Sequence, residues 1–296
     1  MKQQKLRMSR RKDYIGLMFV APWLIGFLAF KAFPLILSTF LSFTQYRIIS
    51  APTFVAFENF KMAFSSPDFW NSLKVSFAYV LLTVPSRLIF SLFIAYILSS
   101  KVKGIGLFRS IYYIPSLMGG SVAVAILWQY MFMEKGMINA FLGMLHLPQP
   151  TWLAGSYTAL FVISILKLWQ FGSTMVVFLA ALKNIPMALV EAAQVDGATR
   201  KRTFWSIIIP YITPVIFFNM LTNLVTAFQE FNSPYVITAG GPSKATELMS
   251  LLIYNNAFKY LKMGYSSALS IILFTVITIV TILLFKSSNR WVTYQD

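Results

Sequence analysis

Long apolar runs, separated by short polar segments, dominate the chain. A helix needs about 20 apolar residues to cross the hydrocarbon core of a bilayer. Six runs reach that length: 14–43, 69–98, 107–132, 156–182, 205–228 and 265–285. Backbone N–H and C=O groups cannot remain unpaired in lipid, so we expect each run to form a transmembrane helix. The pattern predicts an all-α membrane protein with six transmembrane helices.

The positions of Lys and Arg predict the orientation of these helices. Basic residues concentrate in the amino-terminal tail 1–13, in the connections after the second and fourth runs, and in the carboxyl-terminal tail. Six spans place these four segments on one side of the membrane. The positive-inside rule therefore predicts that both termini are cytoplasmic. The first run is too long for a signal peptide and lacks a small-residue cleavage site, so we expect a retained helix.

Composition excludes several functional classes. Hydrophobic residues make up 57% and charged residues 11% of the 296 positions, whereas soluble domains carry about 25% charged residues. The net charge of +16 does not indicate a nucleic-acid partner, because the basic residues flank apolar runs instead of covering one face. The chain has no cysteine and one histidine, His146, so we expect no disulfide and no metal site. We expect one transmembrane domain, surrounded by lipid, over residues 1–296.

The connection after the fourth run, at about 183–206, has a distinctive pattern. Pro186 precedes a helix-forming stretch at 187–194, Gly197 can terminate that helix, and a second helix can begin near Arg200. The basic cluster at 200–202 favours contact with an anionic membrane surface. The pattern predicts a short helix that lies parallel to the membrane on the cytoplasmic side.

This connection resembles the EAA loop of ABC-importer permeases. The matching positions are Glu191, Ala192, Ala193, Asp196, Gly197, Ala198, Phe204, Ile207, Pro210 and Pro214. Ile209 is a mild departure, since the family usually has Leu there. The resemblance implies the type I importer permease fold. It also implies that the segment from Glu191 to Phe204 is a coupling helix, which sits in a groove of a cytoplasmic ATPase subunit.

Residues 237–270 resemble the carbohydrate-uptake branch of that family. The hallmark positions are Gly240, Gly241, Pro242, Thr246, Ala257, Phe258, Gly264, Tyr265 and Ala268. Residues 21–46 resemble the first helix of MalF-like subunits, although the chain lacks the extra helices and the large external domain of the maltose protein. The resemblance implies a permease subunit of an ATP-driven importer for a sugar or oligosaccharide. Its implied partners are a second homologous permease, two ATP-binding subunits and an extracytoplasmic solute-binding protein.

Other functional classes fit less well. The chain has no nucleotide-binding motif, so we expect no enzymatic activity and no cofactor, with ATP and Mg²⁺ bound by the partner ATPases. An importer permease for amino acids, polyamines or similar solutes is the alternative, and the carboxyl-terminal pattern weighs against it. An intramembrane enzyme would need a catalytic constellation that the sequence does not offer. A proton-coupled transporter would need acids within its spans, and only Glu230 comes near.

Three cations, Lys31, Arg87 and Lys167, interrupt the apolar runs. A charge within the bilayer is costly, so it needs a partner, water or a route to the interface. Lys31 and Lys167 can snorkel or bond a backbone carbonyl. Two interpretations of Arg87 remain open: an ion pair with an internal acid such as Glu230, or recognition of a carboxylated sugar.

Polar and aromatic residues of the fourth and fifth runs are candidates for a substrate path. Amides and carboxylates hydrogen-bond sugar hydroxyls, an aromatic face stacks on a pyranose, and residues at spacings of three and four share one helix face. With the family resemblance, this chemistry predicts a path lined by Arg87, Trp169, Gln170, Ser173, Asn223, Ala227 and Glu230. The alternative is that these side chains only bridge neighbouring helices.

Overall fold

The computed structural model describes residues 10–99 and 104–293. The helices of the first half are α1 Arg10–Phe27, α2 Phe33–Ser42, α3 Glu58–Ser65, α4 Pro67–Ser99, α5 Ile105–Leu117, α6 Val122–Met131 and α7 Met137–Met144. Those of the second half are α8 Ser156–Trp169, α9 Gly172–Lys183, α10 Met187–Val195, α11 Arg200–Thr203, α12 Ile209–Phe228, α13 Met249–Tyr254 and α14 Met263–Ser288. Short π-helical turns are Leu28–Ala32, Phe204–Ile208, Pro234–Thr238 and Asn255–Lys259. Positions 1–9 of the predicted basic tail lie outside the described residues.

Within the described residues, four helical stretches are long and apolar enough to cross a membrane. They are Met18–Ser42, Pro67–Ser99, Arg200–Phe228 and Met263–Ser288. These stretches coincide with the first, second, fifth and sixth predicted runs. The prediction that these runs form helices is confirmed, because each forms one continuous helical stretch, with π-helical turns in the first and third of the four.

The third and fourth predicted runs are each broken into two helices. α5 and α6 are bent by 98°, and α8 and α9 by 44°. Gly120 lies in the break between α5 and α6 and has a φ of 80°. Glycine adopts this left-handed conformation at almost no energetic cost, so it can accommodate the bend. Hydropathy alone does not reveal such breaks, because the apolar run continues through them. Each bent pair is either one broken span or a re-entrant loop.

A small β-hairpin follows α2 in this mostly helical chain, and the sequence pattern did not predict it. Strand β1, Thr44–Arg47, pairs antiparallel with β2, Ser50–Phe54. The Nδ2 atom of Asn59 donates to the carbonyl oxygens of Ser42 and Thr44, at 2.9 Å each. The hairpin lies between two apolar runs, and strands of four and five residues leave little trace in the hydrophobic pattern.

Large apolar side chains are exposed along the membrane-length helices. Phe19 and Phe30 are 84% and 80% exposed, and Leu81 and Ile89 of α4 are 70% and 69% exposed. Water does not tolerate extensive apolar surface of this kind, whereas lipid does. The other faces of α4 pack against α8, α9, α12 and α13. This arrangement is that of a multi-pass membrane protein.

Candidate functional site

Arg87 of α4 lies against the break between α8 and α9. α8 ends at Trp169, so the carbonyl of Gln170 has no partner in the next helical turn. Arg87 Nη2 donates to Gln170 O at 2.7 Å, and Ser116 Oγ donates to the same oxygen at 3.0 Å. Arg87 Nη2 also donates to Ser173 Oγ at 3.1 Å. The cation therefore stabilises the negative end of α8.

Glu230 forms an ion pair with Lys167, and not with Arg87 as one of the two interpretations of Arg87 proposed. Lys167 Nζ lies 2.6 Å from Glu230 Oε2, and the two side chains are only 19% and 9% exposed. The other carboxylate oxygen, Oε1, accepts hydrogen bonds from Ser233 N at 3.2 Å and from Ser233 Oγ at 2.8 Å. Both oxygens of Glu230 are thus occupied. Lys167 thus pairs with a carboxylate, instead of reaching the interface or bonding a backbone carbonyl.

A cavity of about 270 Å³ opens beside Arg87, among α4, α9 and α12. Its lining residues are Arg87, Ser173, Thr174, Val177, Phe218, Asn219, Thr222, Asn223 and Thr226. Only Val177 and Phe218 of this lining are apolar, which is unusual for a space between membrane-length helices. Such a lining can hold water molecules and can form hydrogen bonds with a polar solute. Arg87, Ser173 and Asn223 were each predicted for the substrate path.

The other four residues predicted for the path do not line this cavity. Gln170 and Ala227 are buried, and Glu230 is engaged by Lys167. Trp169 packs against Trp128, with ring centroids 5.7 Å apart. The structure therefore brings together three of the seven predicted path residues, and a role of the other four in transport stays a prediction.

Four further polar residues complete the cavity without having been predicted: Thr174, Asn219, Thr222 and Thr226. The signal in the sequence is the recurrence of polar side chains at 219, 222, 223 and 226, which places them on one face of α12. The hydroxyls of Thr222 and Thr226 donate to the carbonyl oxygens of Phe218 and Thr222, at 3.0 and 2.9 Å. Their oxygen atoms remain available as hydrogen-bond acceptors.

The predicted helix, glycine turn and second helix are confirmed in the segment that resembles an EAA loop. α10 ends in a Schellman motif, in which Ala198 N donates to Ala193 O at 2.9 Å and Gly197 N donates to Gln194 O at 3.0 Å. Gly197 has a φ of +73°, and a Cβ added there would meet no atom within 4 Å. The next helix begins after Thr199, whose Oγ1 accepts a hydrogen bond from Arg202 N at 3.3 Å.

The residues predicted for coupling differ in their exposure. Glu191, Ala192, Asp196 and Gly197 are exposed, Ala198 is half-buried and Ala193 is buried. Four of them border a cavity of about 370 Å³, which is lined by Leu189, Ala192, Ala193, Asp196, Ala198, Arg202, Thr203, Ser206 and Ile207. Phe204 instead packs within the chain, with its ring 4.8 Å from that of Tyr96 in α4. The exposed positions are free to meet another protein.

Apolar helices around a polar cavity, with a short helical loop between two of them, define a membrane permease. A family model described as "Binding-protein-dependent transport system inner membrane component" matches residues 60–294. The chain belongs to this family, and its resemblance to ABC-importer permeases is thereby confirmed. The family is one of transport components and not of enzymes.

Relatives of the chain match it over nearly its whole length. "Probable ABC transporter permease protein YesP" of Bacillus subtilis is 44% identical, covering 99% of this chain and 96% of YesP. "Multiple sugar-binding transport system permease protein MsmF" of Streptococcus mutans is 31% identical, covering 94% and 96%. A chain of a bacterial alginate ABC transporter, crystallised with an alginate pentasaccharide-bound periplasmic protein, aligns with a TM-score of 0.81 and 22% identity, covering 97% and 98%. This structural similarity establishes the fold.

Proposed function

We propose that the chain is the transmembrane permease subunit of an ATP-driven importer for a sugar or oligosaccharide. The observation that carries this proposal is the polar cavity beside Arg87, whose hydroxyl and amide groups match the hydroxyls of a saccharide. The names of MsmF and of the alginate transporter support the same class of cargo. The chain would form one half of the translocation path, and a second homologous permease would form the other half.

The proposal assigns coupling to α10 and the turn at Gly197. In it, the exposed Glu191, Ala192 and Asp196 contact one of two ATP-binding subunits, which hold ATP and Mg²⁺. Ala193 and Ala198 shape the helix end, and Phe204 transmits its movement to α4 through Tyr96. A solute-binding protein would deliver the sugar from outside. The complex of the alginate transporter with its alginate-bound periplasmic protein supports this last step.

Each bent helix pair is taken as one broken span in this proposal, which gives six spans with both termini in the cytoplasm. Single cysteines at Ser9 and Asn289 are expected to react with a membrane-impermeant maleimide only from the cytoplasmic side, and a cysteine at Ser243 only from outside. Asn289 and Ser243 are exposed. The native chain has no cysteine, so background labelling is absent. External labelling at Asn289 would refute the six-span topology.

The cargo class is tested with the complete importer, including its binding protein, in liposomes. Neutral and acidic oligosaccharides are expected to stimulate ATP hydrolysis at least several-fold over the basal rate, whereas amino acids and polyamines leave it unchanged. Stimulation by amino acids or polyamines, and by no saccharide, would instead support a permease for another small solute. The control is the same importer without the binding protein, which shows how much of the stimulation depends on delivery of the sugar by that protein.

A further inference from the structure

Arg87 forms no salt bridge with an acid of the described residues. The described ion pairs are Lys167–Glu230 and Lys244–Asp68. Arg87 takes part in neither, although it lies on a membrane-length helix, where an uncompensated charge is costly. Since Lys167 and Glu230 cancel each other, one positive charge remains at the cavity wall.

The hydrogen bonds of Arg87 leave part of its guanidinium available. Both bonds to described residues, to Gln170 O and Ser173 Oγ, come from Nη2. Nε is buried, so the donors left for a ligand are those of Nη1, which bonds no described residue. A guanidinium has five N–H donors, so capping α8 uses only the Nη2 end. A neutral donor, Ser116 Oγ, already bonds the same Gln170 oxygen, so the cap alone does not require a cation.

The α12 side of the cavity wall is better suited to hydroxyl groups than to an anion. Thr222 and Thr226 use their hydroxyl hydrogens within α12, which leaves their oxygens as acceptors for a ligand. Asn223 Nδ2 donates to Asn219 O at 2.8 Å and to Thr174 Oγ1 at 3.3 Å, so its donors are also engaged. Arg87 is therefore the group of the wall best able to hold a carboxylate.

We infer that the cavity recognises an acidic saccharide, in which a uronate carboxylate meets Arg87 and sugar hydroxyls donate to Thr222 and Thr226. The inference rests on the proposed function and specifies its cargo. A carboxylate carries one negative charge, which the single cation balances. A phosphate monoester carries about −1.5 to −2 at neutral pH and would remain partly unbalanced.

The test measures equilibrium binding to the assembled importer in nanodiscs without the binding protein, so that delivery does not select the ligand. The probes are glucuronate- and galacturonate-containing disaccharides, their carboxyl-reduced neutral counterparts and the matching 6-phosphates. The better-bound uronate is expected to bind about tenfold more tightly than its neutral counterpart, because one charge-assisted hydrogen bond is gained. Arg87→Gln should abolish this preference, because it removes the positive charge from the cavity wall, and Arg87→Lys should retain part of it.

Ser116→Ala is the matched control, because it removes a neutral donor from the same Gln170 oxygen without changing the charge. It is expected to keep the preference for the uronate. Equal binding of uronate and neutral sugars, tighter binding of the phosphate, no uronate binding at millimolar concentration, or equal losses in Arg87→Gln and Ser116→Ala would each overturn the inference. The proposed function is judged separately by stimulation of ATP hydrolysis in liposomes, which neutral oligosaccharides alone would satisfy.

Discussion

Lys167→Met is expected to destabilise the folded permease by about 3–5 kcal/mol, because it leaves the Glu230 carboxylate without its cation. Glu230 is 8% exposed, and its remaining partner is the neutral Ser233. The measurement is unfolding of the purified chain in mixed micelles as the fraction of SDS increases. The double variant Lys167→Met/Glu230→Gln should regain most of the lost stability, because it removes the unpaired charge and keeps an acceptor for Ser233.

The chain offers a matched control for this pair. Lys244 Nζ and Asp68 Oδ2 lie at the same distance, 2.6 Å, but their side chains are 50% and 49% exposed. Lys244→Met should cost less than about 1 kcal/mol, since water screens an exposed pair and solvates the freed carboxylate. Equal losses for Lys167→Met and Lys244→Met would show that burial of the Lys167–Glu230 pair has no energetic consequence.

Gly197→Val is expected to reduce substrate-stimulated ATP hydrolysis of the complete importer about tenfold. The backbone at Gly197 is left-handed, and a β-branched residue there costs about 1–3 kcal/mol. No atom lies within 4 Å of the added Cβ, so the cost comes from the backbone and not from a collision. We expect the strain to be relieved by opening of the Schellman turn, which would change the direction in which α10 meets the ATPase in the proposed coupling.

Gly197→Asn is the control, because asparagine tolerates the left-handed region far better than valine. It should keep most of the stimulation, and Gly197→Ala should fall between the two. Assembly of each variant is checked by size-exclusion chromatography of the importer. Full stimulation by an assembled Gly197→Val importer would refute the proposed coupling role of this turn.

The local features of the chain could be predicted because they depend on neighbouring residues. Runs of about 20 apolar residues indicate membrane helices whatever lies around them. The termination of α10 just before Gly197 also follows from local chemistry, since glycine is the residue that most easily adopts the left-handed conformation after a helix. The breaks after α5 and α8 were missed, because a kink interrupts hydrogen bonds without interrupting the apolar run.

The candidate site was predicted only in part, because neighbours in a membrane protein are set by helix packing. Arg87, Ser173 and Asn223 stood out as polar residues within apolar runs, and all three line the cavity. Thr222 and Thr226 were missed although their spacing from Asn223 was visible. Threonine hydroxyls commonly bond their own helix backbone, so a threonine in an apolar run is a weak signal.

The sequence by itself determined the class of the protein: apolar runs, basic flanks and the pattern from Glu191 to Pro214 identify a membrane permease of the importer family. Only the tertiary structure decided which cation neutralises Glu230. Both Arg87 and Lys167 lie within apolar runs, and Lys167 is 63 positions from its partner, so no local rule chooses between them. The choice depends on how α4 and α8 are rotated and on the helix break at Gln170. The Gln170 carbonyl, which is outside the α-helical bonding pattern, accepts a hydrogen bond from Arg87. Lys167 is then the cation that pairs with the Glu230 carboxylate.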